Sequence, residues 1–369
     1  MKLPHFLLTA GCSALLALAA AIPAVAQTPT KLRFQHAFPA KSLNSENAQY
    51  WADRVKLLSG GRLQIEFLPS GSVVPVFETL DAVNKKVLDG AHSSTAYWFG
   101  KNRAATLLGG LAPGGPFGMD PVDYLDWLWH GGGLELYREL YQVQLKLNVV
   151  PIPMTSSAHG AFGWFKTPVK SWADLKGRKC RQTGINAELY SKSGMATVNM
   201  PGGEIVSAAE RGVIDCAEFI SAAEDTRAGF GTVWKNFYPQ GIQEPTAIAE
   251  IIFNGDVWRA LPADQKAIIE AAAQEATLHS MMARNRQNAD ALTELTTKQG
   301  VTIRATPPEI LTKTLETWDG IAKAESAVNP FFKKVLDSQR AYAAKVIPAR
   351  RATTPPYDLA ADHYWSLKK

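Results

Sequence analysis

The sequence predicts an α/β protein of two domains, joined across a cleft by later segments that are mainly helical. Three observations carry this reading. A strand–helix–strand unit opens the mature chain, a second alternating series lies between about 151 and 225, and the alternation fades after Pro245 into long helical periods. At 369 residues the chain also exceeds the size at which a single core stops growing.

The elements follow in order. Lys2 precedes an apolar run at 6–22, and Ala24-Val25-Ala26 closes it. A basic start, a hydrophobic middle and a small-x-small site mark residues 1–26 as a secretory signal peptide. Gly11 and Pro23 interrupt the run, which argues against a membrane anchor. The mature chain is expected to begin near Gln27 and to work outside the cytoplasm. In the first strand Leu32 and Phe34 alternate. Ala48, Trp51, Ala52, Val55 and Leu58 keep a helical period until Gly60-Gly61 stops it. Leu63, Ile65 and Phe67 alternate in the next strand, and such a βαβ unit demands parallel pairing. Pro75 opens a helix carrying Leu80, Val83 and Val87, and a third strand is expected over 91–98. Residues 107–119 are rich in Gly and Pro and read as loop. Residues 124–145 read as helix, broken at Gly131–Gly133. This first lobe is assigned to 27–150, completed by about 240–260.

A second lobe is assigned to 151–239. Strands are expected over 162–165, 179–182, 196–198 and 213–219, with helices between them at 171–175, 187–193 and 204–211. Residues 248–253 read as a strand. Pro262 opens a helix reaching about Lys298, and 307–345 is mostly helical, so 262–345 forms the bridging and C-terminal helices. Pro355-Pro356 suggests an extended tail over 346–369.

Composition narrows the function. The net charge of +5 is scattered, so neither nucleic acid nor an anionic membrane is implied. There is no GxSxG elbow, no GxxxxGK[ST] loop and no HExxH. After cleavage two cysteines remain, Cys180 and Cys216, without zinc spacing. One disulfide and two buried thiols fit them equally. Two residues stand out by position. Arg181 ends the 179–182 strand, where a guanidinium can clamp a small carboxylate, and Glu218 ends the 213–219 strand. An ordinary interdomain ion pair is the plainer reading of Arg181. A carboxylate facing an acid ligand repels it unless a hard cation lies between them.

Several segments then resemble one family. They are Trp51-Ala52-Asp53, Gly60-Gly61-Arg62-Leu63, Leu68-Pro69-Ser70-Gly71, Pro116-Phe117-Gly118, Trp172 to Arg181, Gly212-Val213-Ile214-Asp215 with Ala217-Glu218, and Leu261-Pro262-Ala263-Asp264. Their order and spacing resemble the DctP-type solute-binding subunits of tripartite ATP-independent periplasmic (TRAP) transporters.

The resemblance implies a two-lobed periplasmic-binding-protein clamshell, with a long helix bridging the lobes and a helical C-terminal region. It implies a receptor rather than an enzyme, which collects an organic acid in the periplasm and delivers it to membrane permease subunits. It makes Arg181 the carboxylate clamp. Ala217-Glu218-Phe219, Tyr238-Pro239 and Glu244-Pro245 look like the branch that binds 2-oxo and 2-hydroxy acids. In that branch Glu218 would ligate a sodium or calcium ion, Phe219 would give a main-chain oxygen, and Glu244 would be a further acidic group. The branch has a polar residue, often Gln, before Gly-Trp-Phe, where this chain has Gly160. His159 takes over that role only with a one-residue shift of the backbone. Phe162 would reshape the pocket, and Tyr97 and Trp98 would cover the ligand or pack the domain. The branch also forms dimers through C-terminal helices, with Leu315, Trp318, Ile321 and Phe332 as candidate contacts here. The competing readings are a metal-free receptor for an aromatic or sugar acid, and a secreted hydrolase or lyase using Glu218 and His159.

Overall fold

The computed structural model describes residues 28–155, 160–244 and 246–365. The expected signal peptide and His159 lie outside the described residues. Four strands come first: β1 (Thr30–His36), β2 (Leu63–Leu68), β3 (Gly90–Ser94) and β4 (Val149–Thr155). The next five are β5 (Gly163–Phe165), β6 (Lys179–Arg181), β7 (Ala196–Val198), β8 (Cys216–Ala217) and β9 (Asn236–Tyr238). β10 (Ile248–Asn254) and β11 (Thr302–Ile303) complete the set. One sheet has the order β2-β1-β3-β10-β4 and the other β11-β9-β5-β8-β6-β7.

Local chemistry explains the opening unit. Leu32 and Phe34 are buried on β1, which pairs in parallel with both β2 and β3. The helix Leu43–Leu58 starts where the Ser42 hydroxyl accepts the Ser45 N–H at 3.0 Å. It ends at Gly60 and Gly61, whose φ angles of 60° and 80° suit glycine. Trp51 on its inner face is fully buried and donates Nε1–H to the Ile269 carbonyl.

Every residue of β10 is buried, and it lies antiparallel between β3 and β4. The chain therefore returns to the first sheet after building most of the second. The helix Ala263–Thr297 then spans both lobes, since 35 residues reach roughly 50 Å. Ile269, Ala272, Ala273 and Ala276 pack with Trp51 and Val55 in the first lobe, and Ala291 and Leu295 with Phe230 and Trp234 in the second. This is the two-lobed clamshell with its bridging helix.

The structure departs from the expectations in four places. The change of lobe expected near 150 falls inside β4, which is hydrogen-bonded to β10 and so belongs to the first sheet. The strand expected over 91–98 stops at Ser94 and tightens into a 3₁₀ turn, Thr95–Trp98. The strand expected over 213–219 shortens to Cys216–Ala217, because its C-terminal residues turn into the cleft. The tail is helical rather than extended. A helix Pro330–Thr353 runs past Pro348, and Tyr357–Tyr364 forms another after the two prolines, which are tolerated at a helix start. Of the candidate dimer contacts, Trp318, Ile321 and Phe332 are buried in the chain's own core, and Leu315 packs against Gly114.

Candidate ligand-binding site

The site lies where parallel strands of both sheets end, the usual ligand position in open α/β sheets. β1 leads into Phe38 and Asn44, β3 into Ala96 and Tyr97, β6 into Thr183, and β8 into Phe219 and Ile220. The segment between β9 and β10 adds Glu244 and Ala247, and β10 opens with Ile248. Together they line a tight pocket with a cavity volume of about 40 Å³.

Arg181 and Glu218 meet because β6 and β8 are neighbours. Cys180 faces Cys216 and Arg181 faces Ala217 across the parallel register. Cys180 and Cys216 are joined in a disulfide, their Cα atoms 4.5 Å apart. One residue on, Arg181 donates Nη1–H to the Glu218 carbonyl at 2.6 Å and to its carboxylate at 3.2 Å. Its Nε–H points to the Met200 carbonyl at 3.3 Å, and the guanidinium lies over the Phe219 ring at 5.6 Å. Both charged side chains are buried. The Phe219 ring fits only because residue 202 is glycine; a Cβ there would come within 2.3 Å of it.

Glu244 completes the charged group. It accepts from Asn186 Nδ2 at 2.9 Å and is buried. Burial, then the charge of Glu244, pushes the Glu218 carboxyl well above the usual carboxylate range, against the pull of Arg181. Burial raises Glu244 too. Among the described residues no donor reaches the buried Glu218 Oε1, and the Glu218 carboxyl lies within hydrogen-bonding reach of Glu244. The two buried carboxylates, one of them with an unpaired oxygen, suit a hard cation.

Gly160 explains the missing polar side chain before Gly-Trp-Phe. Its N–H donates to the Glu244 carbonyl at 2.7 Å, and a Cβ would come within 2.6 Å of that oxygen. No side chain fits there.

The loop behind the site is held by Asp225. Its carboxylate accepts from the backbone N–H groups of Ile220 and Ser221 and from Trp164 Nε1 at 2.8 Å. Glu224 beside it accepts the Leu43 N–H of the first lobe at 2.7 Å, so one short helix, Ala222–Ala228, grips the opposite lobe.

Of the sequence-predicted residues, the structure gathers Arg181, Glu218, Phe219, Glu244 and Tyr97. Trp98 and Phe162 stand apart from this group. Trp98 turns inward and donates Nε1–H to Glu250 at 2.7 Å, inside a buried network that includes Tyr137 and Tyr141. The 3₁₀ turn sends neighbours 97 and 98 in different directions. Phe162 packs between Phe165, Tyr190 and Tyr238 in the second lobe's core. Phe38, Asn44, Leu111 and Thr183 line the pocket but were not read from the sequence. Thr183, two residues beyond Arg181 at a strand end, had a positional signal; the others had none.

Comparison with known proteins places this geometry. The profile of the bacterial extracellular solute-binding protein family 7, DctP, matches residues 34–326. A monocarboxylate 2-oxoacid-binding periplasmic protein of Nostoc sp. is 30% identical over 311 residues, 84% of this chain and 83% of that protein. The crystal structure of a TRAP solute-binding protein from Bordetella bronchiseptica superposes with a TM-score of 0.83 at 28% identity, covering 91% of this chain and 97% of the other. It is described as a mixed-occupancy dimer with calcium and picolinate in one site and the other site apo. A periplasmic TRAP protein from Pseudoalteromonas atlantica, with sodium and pyruvate bound, gives 0.81 at 25% identity over 89% and 98%. This chain belongs to the extracellular solute-binding protein family 7, whose members are receptors rather than enzymes.

Proposed function

For a chain of this solute-binding family, we propose that the pocket takes a 2-oxo or 2-hydroxy monocarboxylate together with a sodium or calcium ion, for delivery to TRAP permease subunits. The observation that carries this reading is the buried trio of Arg181 at the end of β6, Glu218 just past β8 and Glu244 between β9 and β10. Arg181 clamps the ligand carboxylate. Glu218, the main-chain oxygen of Phe219 and Glu244 would hold the cation, which supplies positive charge between the acid and the two carboxylates. Arg181 is the one cationic side chain among the described lining residues, which suits a single carboxylate. The lobes close over the acid because the closed state gives it more contacts.

The wall of Phe38, Tyr97, Phe219, Leu111 and Ile248 is apolar. It supports a second reading, an aromatic acid, and offers few partners to the hydroxyls of a sugar acid. Secretion to the periplasm fits both. We also propose a homodimer: the helix Tyr357–Tyr364 has no buried residue and exposes Tyr357, Leu359 and Tyr364, beside Trp365. Light scattering on the full mature chain and on one ending at Pro356 tests this. A monomeric full-length chain would end it.

The function is tested by refolding the mature protein free of ligand and following its melting temperature with small acids in sodium, in calcium and in chelator. Acid at about 100 times its dissociation constant adds about 2.7 kcal/mol. A shift with 2-oxo or 2-hydroxy acids that needs sodium or calcium supports the site as drawn. A cation-independent shift removes the metal, and no shift with any acid removes the reading.

A further inference from the structure

The first turn of the helix Leu43–Leu58 reaches into the pocket, and Asn44 is the polar side chain it brings. Asn44 lines the pocket beside Phe38 and Tyr97 and is 2% exposed. Its Oδ1 is buried without a hydrogen-bond partner among the described residues. A buried amide oxygen left unpaired is destabilising, and such groups in native folds are normally satisfied. An unpaired amide oxygen at the edge of a ligand pocket is therefore an acceptor prepared for a donor on the ligand, such as a 2-hydroxyl. An amide offers both a donor and an acceptor, so it can meet a 2-oxo oxygen with Nδ2 or a 2-hydroxyl with Oδ1.

The turn is also held in place from across the cleft. Ser42 Oγ accepts the Ser45 N–H, and Glu224 of the second lobe accepts the Leu43 N–H, the residue just before Asn44. Asn44 is thus placed by a contact between the lobes, on the face opposite Arg181.

We infer that Asn44 is the first lobe's hydrogen-bonding residue for the bound acid, closing the site opposite Arg181. This rests on the reading of the pocket as an acid site. It adds a residue that makes binding depend on the first lobe as well as the second, and so links affinity to lobe closure.

The test compares wild type with Asn44→Ala and with Asn44→Leu, which replaces the amide by an apolar group of similar size. Dissociation constants for pyruvate and for lactate are measured by calorimetry, in calcium and in sodium, alongside the melting temperature without ligand. Both variants are expected to bind about two- to tenfold more weakly, the range for a lost hydrogen bond between neutral groups. Without ligand they should melt at or above the wild-type temperature, because an unpaired buried amide has been removed. A structural role would lower that temperature instead. Wild-type affinity for both acids in both variants, or a lower ligand-free melting temperature with affinity unchanged, overturns the inference while leaving the acid site intact. A wild type that binds neither acid in either salt overturns the acid reading, and this inference with it.

Discussion

Arg181 ends β6 and Glu218 directly follows the adjacent parallel strand β8, with the guanidinium 2.6 Å from the glutamate's carbonyl oxygen and 3.2 Å from its carboxylate. The same cation therefore ties two strand ends together and supplies the positive charge of the pocket. Glu218 in turn has one carboxylate oxygen in contact with Arg181, and the other meets no donor among the described residues.

Arg181→Met should abolish acid binding. Removing one member of a buried charged contact costs several kcal/mol, so a loss of a hundredfold or more is expected. Calorimetry with pyruvate reads it directly. Retention of affinity within a factor of three would show that the carboxylate is held elsewhere.

Glu218→Gln keeps the shape of the side chain and removes its charge. Acid binding should weaken in calcium or sodium and become indifferent to chelator. The comparison is a titration of wild type and variant with and without chelator. An unchanged cation dependence in the variant would remove Glu218 as a cation ligand.

The Cys180–Cys216 disulfide staples β6 to β8 immediately before the two charged residues. Closing a loop with a sequence separation of 36 constrains the unfolded chain by about 3–4 kcal/mol in the chain-entropy account. A double Cys→Ala variant should melt several degrees lower and bind acid more weakly, since the spacing of Arg181 and Glu218 loosens. Equal melting curves would mean the bond contributes nothing to the folded state.

Glu224 predicts a pH dependence. Burial raises its carboxyl to about 7, opposed by Arg284, the Leu43 N–H and Arg227 and aided by Asp225. The folded state thus keeps a proton that the unfolded chain releases near its ordinary 4.5. The stability from this group is fully present below about pH 4.5 and is lost as pH rises through about 7. Asp225, also raised to about 7 by burial, acts in the same direction. Melting temperature should therefore fall between pH 5 and 8, and Glu224→Gln should flatten part of that fall. The amide can still accept the Leu43 N–H, so the variant should not lose the cap. A wild-type curve that rises over this interval would contradict the assignment.

Much of the fold was legible from local signals. Leu32 and Phe34 alternate, Gly60-Gly61 ends the first helix, and Pro262 opens the long one. Each rests on backbone periodicity or turn chemistry, which neighbouring residues decide among themselves. The site residues Arg181 and Glu218 were legible because strand ends are predictable, and the family's motifs supplied their roles.

What the sequence by itself determined, then, is the alternation of elements, the family, and the charged residues at two strand ends. Only the tertiary structure decided the rest. It sends β10 back between β3 and β4, pairs Cys180 with Cys216, and brings Glu244 against Glu218. It turns Trp98 into a core with Glu250 and swings Asn44 over the pocket. These contacts join residues distant in the chain, and nothing in local propensity encodes them. They are settled by burial: each strand and side chain takes the place where its apolar surface leaves water and its polar atoms find partners. Where a partner is missing among the described residues, as at Asn44 and Glu218, the pocket is where the ligand would supply it.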